Sequence, residues 1–531
     1  MNKRIVSTIA KLEHKAKKGS WEAAYQLYEY YLDGKYVDKN YEVAIKYIDL
    51  AVEHIQSNFI GFDEIIIQDF RALDNLTLNL SLRNLIVLAG ENGAGKSSVL
   101  DALSYSLSWL VNRILYKGGR GREIEKLDIR DNSERGYSSI LTKLCLNRIN
   151  KVRFELCELH LGSSANKKSY LNEVTKLGAL YKFAGEHRSS FTLPIFAHYG
   201  VLRTIDINTK DINAIDDIVQ INNNRFEGYI NAFSGKADIK SFIKWFKRLD
   251  DIEKHRTVST NNLSQDEDLI NKLAVLAPSD VNARKLLESL MSKSKDKEED
   301  SEVLEIYKIK QTLNHVIGEF MFGYSDLSIE LQSGFSLNIK KENNKLNILQ
   351  LSQGEKSLLA LVLDIARRMI VLNPHLENPL HSPGVIIIDE IDLHLHPHWQ
   401  RLVIRHINNI FPYCQFIVST HSPQVISEVK HNEVVILDKD ESGSIIGFSP
   451  SQSYGLTSNE ILNELMSPEE RQLIRNEKVE YEIKNIFMLI EEGKISEAEE
   501  RIYALEDELN GSIPELVRAK MEIELDGWDK E

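Results

Sequence analysis

The 531-residue sequence predicts an α/β protein organised around a parallel sheet covered on both faces by helices. Two observations carry that expectation. Three runs are almost wholly apolar and each ends in chemically distinctive residues: Leu85-Ile86-Val87-Leu88-Ala89 leads into Gly90-Glu91-Asn92-Gly93-Ala94-Gly95-Lys96-Ser97, Val385-Ile386-Ile387-Ile388 into Asp389-Glu390, and Phe416-Ile417-Val418 into Ser419-Thr420-His421. Strands that are apolar on both faces lie between layers of helices. Helical periodicity surrounds them, most clearly from Leu358 to Met369, whereas Leu76-Thr77-Leu78-Asn79-Leu80 alternates and marks a second, half-covered sheet.

The elements follow in order. Residues 1–58 read as helices, with Ala24, Leu27, Tyr28 and Tyr31, then Val43, Ala44, Tyr47, Ile48 and Ala51, spaced three and four apart around the turn Asp33-Gly34-Lys35-Tyr36. This pattern resembles one Sel1/TPR-like repeat preceded by the tail of another. About three repeats are needed for independent stability, so one and a half must dock on something else, either as a cap on the next domain or as a partner-binding module. Residues 59–203 hold the first strands and the glycine-rich loop. Residues 204–322 read as a helical insertion with a charge-dense run from Ser292 to Asp300, 323–466 as a second α/β lobe, and 467–531 as an acidic helical tail.

Composition limits the possible functions. A formal charge of -14 argues against coating the whole surface with nucleic acid and leaves room only for local basic patches. The candidates are the Gly118 to Arg122 loop and Lys244-Trp245-Phe246-Lys247-Arg248, for which a solvated loop and an amphipathic helix are the favoured readings. Three cysteines, Cys145, Cys157 and Cys414, match neither a disulfide framework nor a zinc cluster, and a cytoplasmic setting is expected. The apolar stretch Ile5 to Ala10 is too short for a signal peptide, and no run approaches the ~20 apolar residues that cross a bilayer.

Gly90 to Ser97 matches G-x-x-x-x-G-K-[ST] in the required context, after a buried strand and before a helix beginning near Ser98. Gly90, Asn92, Gly93 and Gly95 let backbone N–H groups point at phosphate oxygens, and the helix start at Ser98 adds the positive end of its dipole. Lys96 can reach the β- and γ-phosphates of ATP, and Ser97 offers a hydroxyl to Mg²⁺. Asp389 is placed to hold Mg²⁺ through its water shell, and Glu390 to orient or deprotonate the attacking water. Ser352 is a natural N-cap, and with Gly354 it forms an anion site at a helix N-terminus. His421 ends its strand either as a satisfied core residue or as a group facing the phosphates. His394 and His396 suggest a metal but lack a third ligand, so packing is the expected role.

Taken together, these motifs resemble those of ABC-type ATPase heads of the RecF/SMC-like class. Leu351-Ser352-Gln353-Gly354-Glu355 stands where that class has its signature, with Gln353 replacing a glycine. The resemblance implies that Ser352 and Gly354 bind the γ-phosphate held by an opposite protomer and that His421 is the switch histidine. Ile67-Gln68-Asp69-Phe70-Arg71, His198-Tyr199-Gly200-Val201-Leu202-Arg203 and Tyr454-Gly455-Leu456-Thr457-Ser458 resemble further elements of the class. A glutamine of the Q-loop is missing between Ser98 and Val219, with Asp128 in a plausible place, so slow or partner-dependent hydrolysis is expected.

The full set, with a helical insertion instead of a long coiled coil, is similar to the PtuA family of Septu and retron-associated anti-phage ATPases. That similarity implies a homodimer or higher oligomer acting with a PtuB-like HNH nuclease. In the retron version it further implies a reverse transcriptase and its RNA-linked DNA. Two other readings stand beside it. One is a RecF/SMC-like repair ATPase acting on DNA ends. The other is an OLD-type nuclease, hinted at by Asp438-Lys439-Asp440, although only a short helical tail follows.

Overall fold

Burial of the apolar runs on both faces builds the main sheet. In the computed structural model, which describes residues 3–528 apart from 82, 132–133, 148–149, 202–223, 255–296, 331–335 and 467–476, these runs become neighbouring strands. The sheet contains β3 (Leu85–Ala89), β6 (Ile195–Tyr199), β10 (Gly384–Ile388), β11 (Cys414–Ser419), β12 (Val434–Lys439) and β13 (Ile445–Phe448), in the order β13-β12-β3-β11-β10-β6. All neighbours are parallel except β13, which runs antiparallel to β12. Every residue of β3, β6, β10 and β11 is buried.

A second, antiparallel sheet has the order β2-β1-β4-β5, from β1 (Gly61–Phe70), β2 (Leu73–Asn79), β4 (Tyr137–Cys145) and β5 (Lys151–Leu159). Helix α4 (Lys96–Leu115) lies between the two sheets, where Ser106 accepts a 2.8 Å bond from Thr142 of β4. Its buried positions are mainly apolar, and Ser104, Ser106 and Ser108 are buried among them. The sheets are also fastened directly by Gln415 of β11, a fully buried side chain. Its Oε1 accepts from the Phe62 N–H at 2.7 Å, and its Nε2 donates to the carbonyls of Phe62, Leu80 and Arg83 at 3.3, 3.3 and 3.0 Å.

The N-terminal helices α1 (Lys3–Lys17), α2 (Trp21–Asp33) and α3 (Tyr41–Ile55) pack on this lobe. Ser20 and Asn40 cap α2 and α3, and Gly34 ends α2 in the left-handed conformation expected of a C-terminal glycine. The dock reads backbone: Asn150 Nδ2 donates to the carbonyls of Gly19 and His54, and Asn147 Nδ2 also donates to His54 O. Ion pairs Arg188–Asp49 and Lys176–Glu29 add to it, the latter two reaching from α5 (Asn172–His187) to α2. The incomplete repeat therefore caps the head.

Of the expected insertion, 204–223 and 255–296 lie outside the described residues, as do Leu202, Arg203 and the first part of the Ser292 to Asp300 run. Its described parts are a 3-10 turn at Arg225–Tyr229, α6 (239–254) and α7 (Lys297–Phe320). On α6, Phe242 and Phe246 are buried, which supports the amphipathic-helix reading of the Lys244 to Arg248 run. A small antiparallel sheet, β7 (Tyr324–Glu330), β8 (Ser336–Lys341) and β9 (Asn344–Asn347), leads to α8 (Gln353–Leu372).

Residues 459–531 form a separate compact unit, so the break falls before the expected start of the tail at 467. Its helices α10 (Glu477–Glu491), α11 (Ile495–Leu509) and α12 (Pro514–Trp528) enclose a core of Ile486, Ala498, Ile502, Leu505, Leu516 and Ala519.

Candidate functional site

The site forms where the parallel strands end. The loop after β3 carries Gly90, Gly93 and Gly95 at φ of 140°, 86° and 90°, and the helix begins at Lys96 rather than near Ser98. A Cβ on Gly90 would stand 2.3 Å from the Leu437 carbonyl, so both its angle and its surroundings require glycine. Lys96 is buried, and its Nζ donates to the carbonyls of Gly90 at 2.8 Å and Glu91 at 2.9 Å. Asn92 and Ser97 are exposed at the mouth of the loop and Ser98 is half-buried.

Asp389 follows β10, with its N–H donating to Tyr199 O of β6 at 2.8 Å. Ser419, the last residue of β11, binds both acidic positions. Its Oγ donates to Asp389 Oδ1 and accepts from the Glu390 N–H at 2.7 Å. Glu390 has φ 46°, a left-handed angle that costs a non-glycine residue ~1–3 kcal/mol. Thr420 Oγ1 donates to Asp392 Oδ1 at 2.5 Å, completing the tie between the two strand ends.

The charges of this edge act on one another. Burial lowers the pKa of Lys96, opposed by the carboxylates of Asp389, Glu390 and Asp392. Burial, then the Lys96 ammonium, lowers that of half-buried His421, with the same three carboxylates opposing. Lys96, Asp389, Glu390 and His421 are thus gathered at one edge. Three carboxylates against one ammonium, with the Ser97 hydroxyl beside an open glycine loop, fit a hydrated divalent cation carried in with phosphates. Mg²⁺ is bound in this manner more often than in an all-protein cage. No group of three metal-ligating side chains occurs among the described residues. His396 instead caps α9 (Pro397–Ile410), its Nδ1 accepting from the His398 N–H at 3.3 Å.

Ser352 and Gly354 stand at the start of α8. Ser352 is exposed, its Oγ accepting from the Glu355 N–H while Glu355 Oε2 accepts from the Ser352 N–H at 2.8 Å. Burial would raise the Glu355 pKa, but bonds from Tyr324, Ser352 and Lys341 hold it down at about 2. Gly354 is buried against the segment after Glu390, and a Cβ there would lie 2.1 Å from His394 O.

Several features lay beyond the sequence. Asp128 is engaged by Arg71 Nε at 2.8 Å, Tyr105 OH at 3.1 Å and the Glu125 N–H at 3.1 Å, beside the antiparallel sheet. The strand next to β10 is β6, which ends in His198 and Tyr199. Tyr199 OH donates to Asp364 of α8 at 2.9 Å, and Arg367 and Arg368 close on the same carboxylate at 3.0 and 2.9 Å. The Gly118 to Arg122 loop is pinned rather than merely solvated. The Arg122 N–H donates to Ser108 Oγ at 2.7 Å, Trp109 Nε1 donates to Arg122 O at 2.9 Å, and the guanidinium stacks on Tyr105 at 4.4 Å. Asp440 accepts from the Ser442 and Ser444 N–H groups in the β12–β13 turn, which takes up the carboxylate that hinted at a nuclease.

The chain is similar to known proteins. The family described as "AAA domain, putative AbiEii toxin, Type IV TA system" matches residues 203–427, and one described as a protein of unknown function matches 60–117. The Retron Ec83 probable ATPase of Escherichia coli is 30% identical over 551 aligned positions, covering 100% of this chain and 99% of its own length. The chain belongs to the PtuA-like retron and Septu ATPases. The Retron Vc95 probable ATPase of Vibrio cholerae is 27% identical across 92% of this chain and 95% of its own. The Septu protein PtuA of Bacillus thuringiensis is 32% identical over 170 positions, 30% of this chain and 43% of its own. A solved SMC head domain from Pyrococcus furiosus, bound to the C-terminal domain of ScpA, is similar at 14% identity and a TM-score of 0.40, covering 74% of this chain and 97% of its own.

By its relatives the protein is therefore an ATPase. The two family matches divide the site between them. Residues 60–117 hold the glycine-rich loop and Lys96, and 203–427 hold Ser352, Asp389, Glu390 and His421. No helix among the described residues is long and apolar enough to cross a membrane.

Proposed function

We propose that the protein is the ATP-driven switch of a cytoplasmic retron- or Septu-type anti-phage complex, in which ATP joins two copies and thereby controls an associated HNH nuclease. The carrying observation is the division of the site. Lys96, Asp389, Glu390 and His421 are gathered within one chain, whereas Ser352 is exposed at a helix end where its own side chain bonds only within the first turn. An exposed helix N-terminus beside the segment after Glu390 is suited to receive the γ-phosphate of a nucleotide held by another copy.

In this reading Gly90, Asn92, Gly93, Gly95 and Ser98 cradle the phosphates through N–H groups, and Lys96 leaves the Gly90 and Glu91 carbonyls for the β- and γ-oxygens. Ser97 and Asp389 hold Mg²⁺, which screens the phosphate charge when bound. Glu390 orients and deprotonates the attacking water, and His421, kept neutral by its surroundings, bonds to the γ-phosphate side. The names of the relatives support the retron and Septu setting. The family likeness supports a PtuB-like nuclease, and for the retron type a reverse transcriptase with RNA-linked DNA, as partners.

Glu390→Gln should bind ATP with Mg²⁺, lose ~10²–10⁴-fold in turnover and run as a stable dimer by light scattering. Unchanged turnover would overturn the role of Glu390, and a monomer under saturating ATP would overturn the switch. Affinity capture from the native host should recover an HNH protein and nucleic acid. Recovery of neither would overturn the partner assignment.

A further inference from the structure

His198 is buried on β6, and its Nδ1 has no hydrogen-bond partner. Only its backbone is engaged, the N–H donating to Ala232 O at 2.8 Å. A buried ring nitrogen left unbonded costs free energy that a leucine of similar bulk would not. Such a group calls for a partner that the chain itself does not supply.

The strand register shows which way it points. β6 and β10 are parallel, with His198 opposite Ile387 and Tyr199 opposite Ile388. Paired residues of parallel strands share a face and successive residues alternate. His198 therefore shares a face with Ile387 and with Asp389, two residues further on. Tyr199 takes the other face, and its hydroxyl reaches Asp364 of α8. His198 is thus directed to the side of α4, the helix that Lys96 begins. The charged groups that reach the imidazole agree: Asp101 of α4, Arg122 above Tyr105, and Asp389. Burial first, and Arg122 in addition, disfavours its protonation, so one ring nitrogen donates and the other accepts. Asp101 is already bonded to Arg71 at 2.6 Å and Asp389 accepts from Ser419, whereas the imidazole Nδ1 has no partner.

We propose that His198 is a positioning residue of the ATPase site, whose imidazole hydrogen-bonds a water in the shell of the Mg²⁺ held by Asp389 and Ser97. This rests on the reading of Asp389 as the residue that holds the cation. It fills, from a strand neighbouring Asp389, the place for which the sequence offered no glutamine. Groups that orient a metal's shell without touching the metal alter its affinity by ~10–100-fold.

The test is a Mg²⁺ titration of the full chain with a fluorescent, non-hydrolysable ATP analogue, alongside thermal unfolding without nucleotide. His198→Leu should need ~10-fold more Mg²⁺ for half-maximal enhancement of binding, keep the Mg²⁺-free affinity for the analogue, and unfold at a higher temperature than the parent. His198→Gln, which restores a polar group, should need nearly the parental Mg²⁺ concentration. Asp389→Asn is the control. If it raises the Mg²⁺ requirement while His198→Leu does not, the proposal alone is overturned. If neither variant changes the requirement, the reading of Asp389 fails and the proposal with it. Loss of folding in His198→Leu, with His198→Gln equally impaired, marks a structural histidine and also overturns the proposal.

Discussion

The strand-end half of the nucleotide site and the helix-end half are built on opposite principles. Around Lys96, Asp389 and Glu390 the backbone is held by positive φ angles and by the Ser419 and Thr420 hydroxyls, and Lys96 and Asp389 are buried. At Ser352 the helix end is exposed and satisfied by its own turn, through the capping box with Glu355. One half is prearranged for a ligand it grips, while the other is a stable surface that needs no ligand to keep its shape. Prearranged polar groups are what phosphoryl transfer demands, whereas a receiving surface needs only the right outline and dipole.

Three substitutions sharpen this contrast, and their effects should decrease in order. Lys96→Ala removes the cation of the gripping half and should weaken ATP binding at least ~30-fold in a direct binding assay. Binding close to that of the parent would mean that the loop N–H groups alone hold the phosphates. Gly354→Ala strikes the receiving half, because the added carbon would lie 2.1 Å from His394 O. It should lower stability by ~1–3 kcal/mol and reduce ATP-dependent dimerisation, while each chain still binds nucleotide. A parallel loss of nucleotide affinity would show that the halves are not separable. Glu355→Gln is the mildest. Because the native Glu355 carboxyl titrates at about 2 rather than its ordinary 4.5, its contribution is present above pH 4.5 and lost as the pH falls toward 2. Thermal unfolding should therefore separate parent and variant by ~1 kcal/mol at pH 7 and by less at pH 3. A constant gap would assign the effect to packing.

What the sequence made legible was whatever is written in consecutive residues. Gly90 to Ser97, Asp389-Glu390, the Ser352 cap and the buried strands all announce themselves locally, since glycine angles, caps and apolar runs act within a few positions. Register is not local. That His198 and Tyr199 flank Asp389 follows from pairing β6 with β10, strands almost two hundred residues apart, and no spacing rule connects them. Asp128 was plausible by position along the chain, and its bonds from Arg71 and Tyr105 were beyond what spacing could show. The Gly118 to Arg122 loop has the composition of a solvated segment, yet Ser108 and Trp109 of α4 pin it. The docking of α1 to α3 was legible only as a need, because Asn147 and Asn150 meet carbonyls that no side-chain pattern encodes.

Gln415 carries a consequence for how the head can move. One side-chain amide joins β11 to the backbone at Phe62 and Leu80, so sliding either sheet over the other would break three hydrogen bonds at once in a dry interior. The strand that ends at Ser419 and the lobe on which α1 to α3 dock are therefore fastened to each other at a buried point, and a slip between them has to leave polar groups unpaired in the interior.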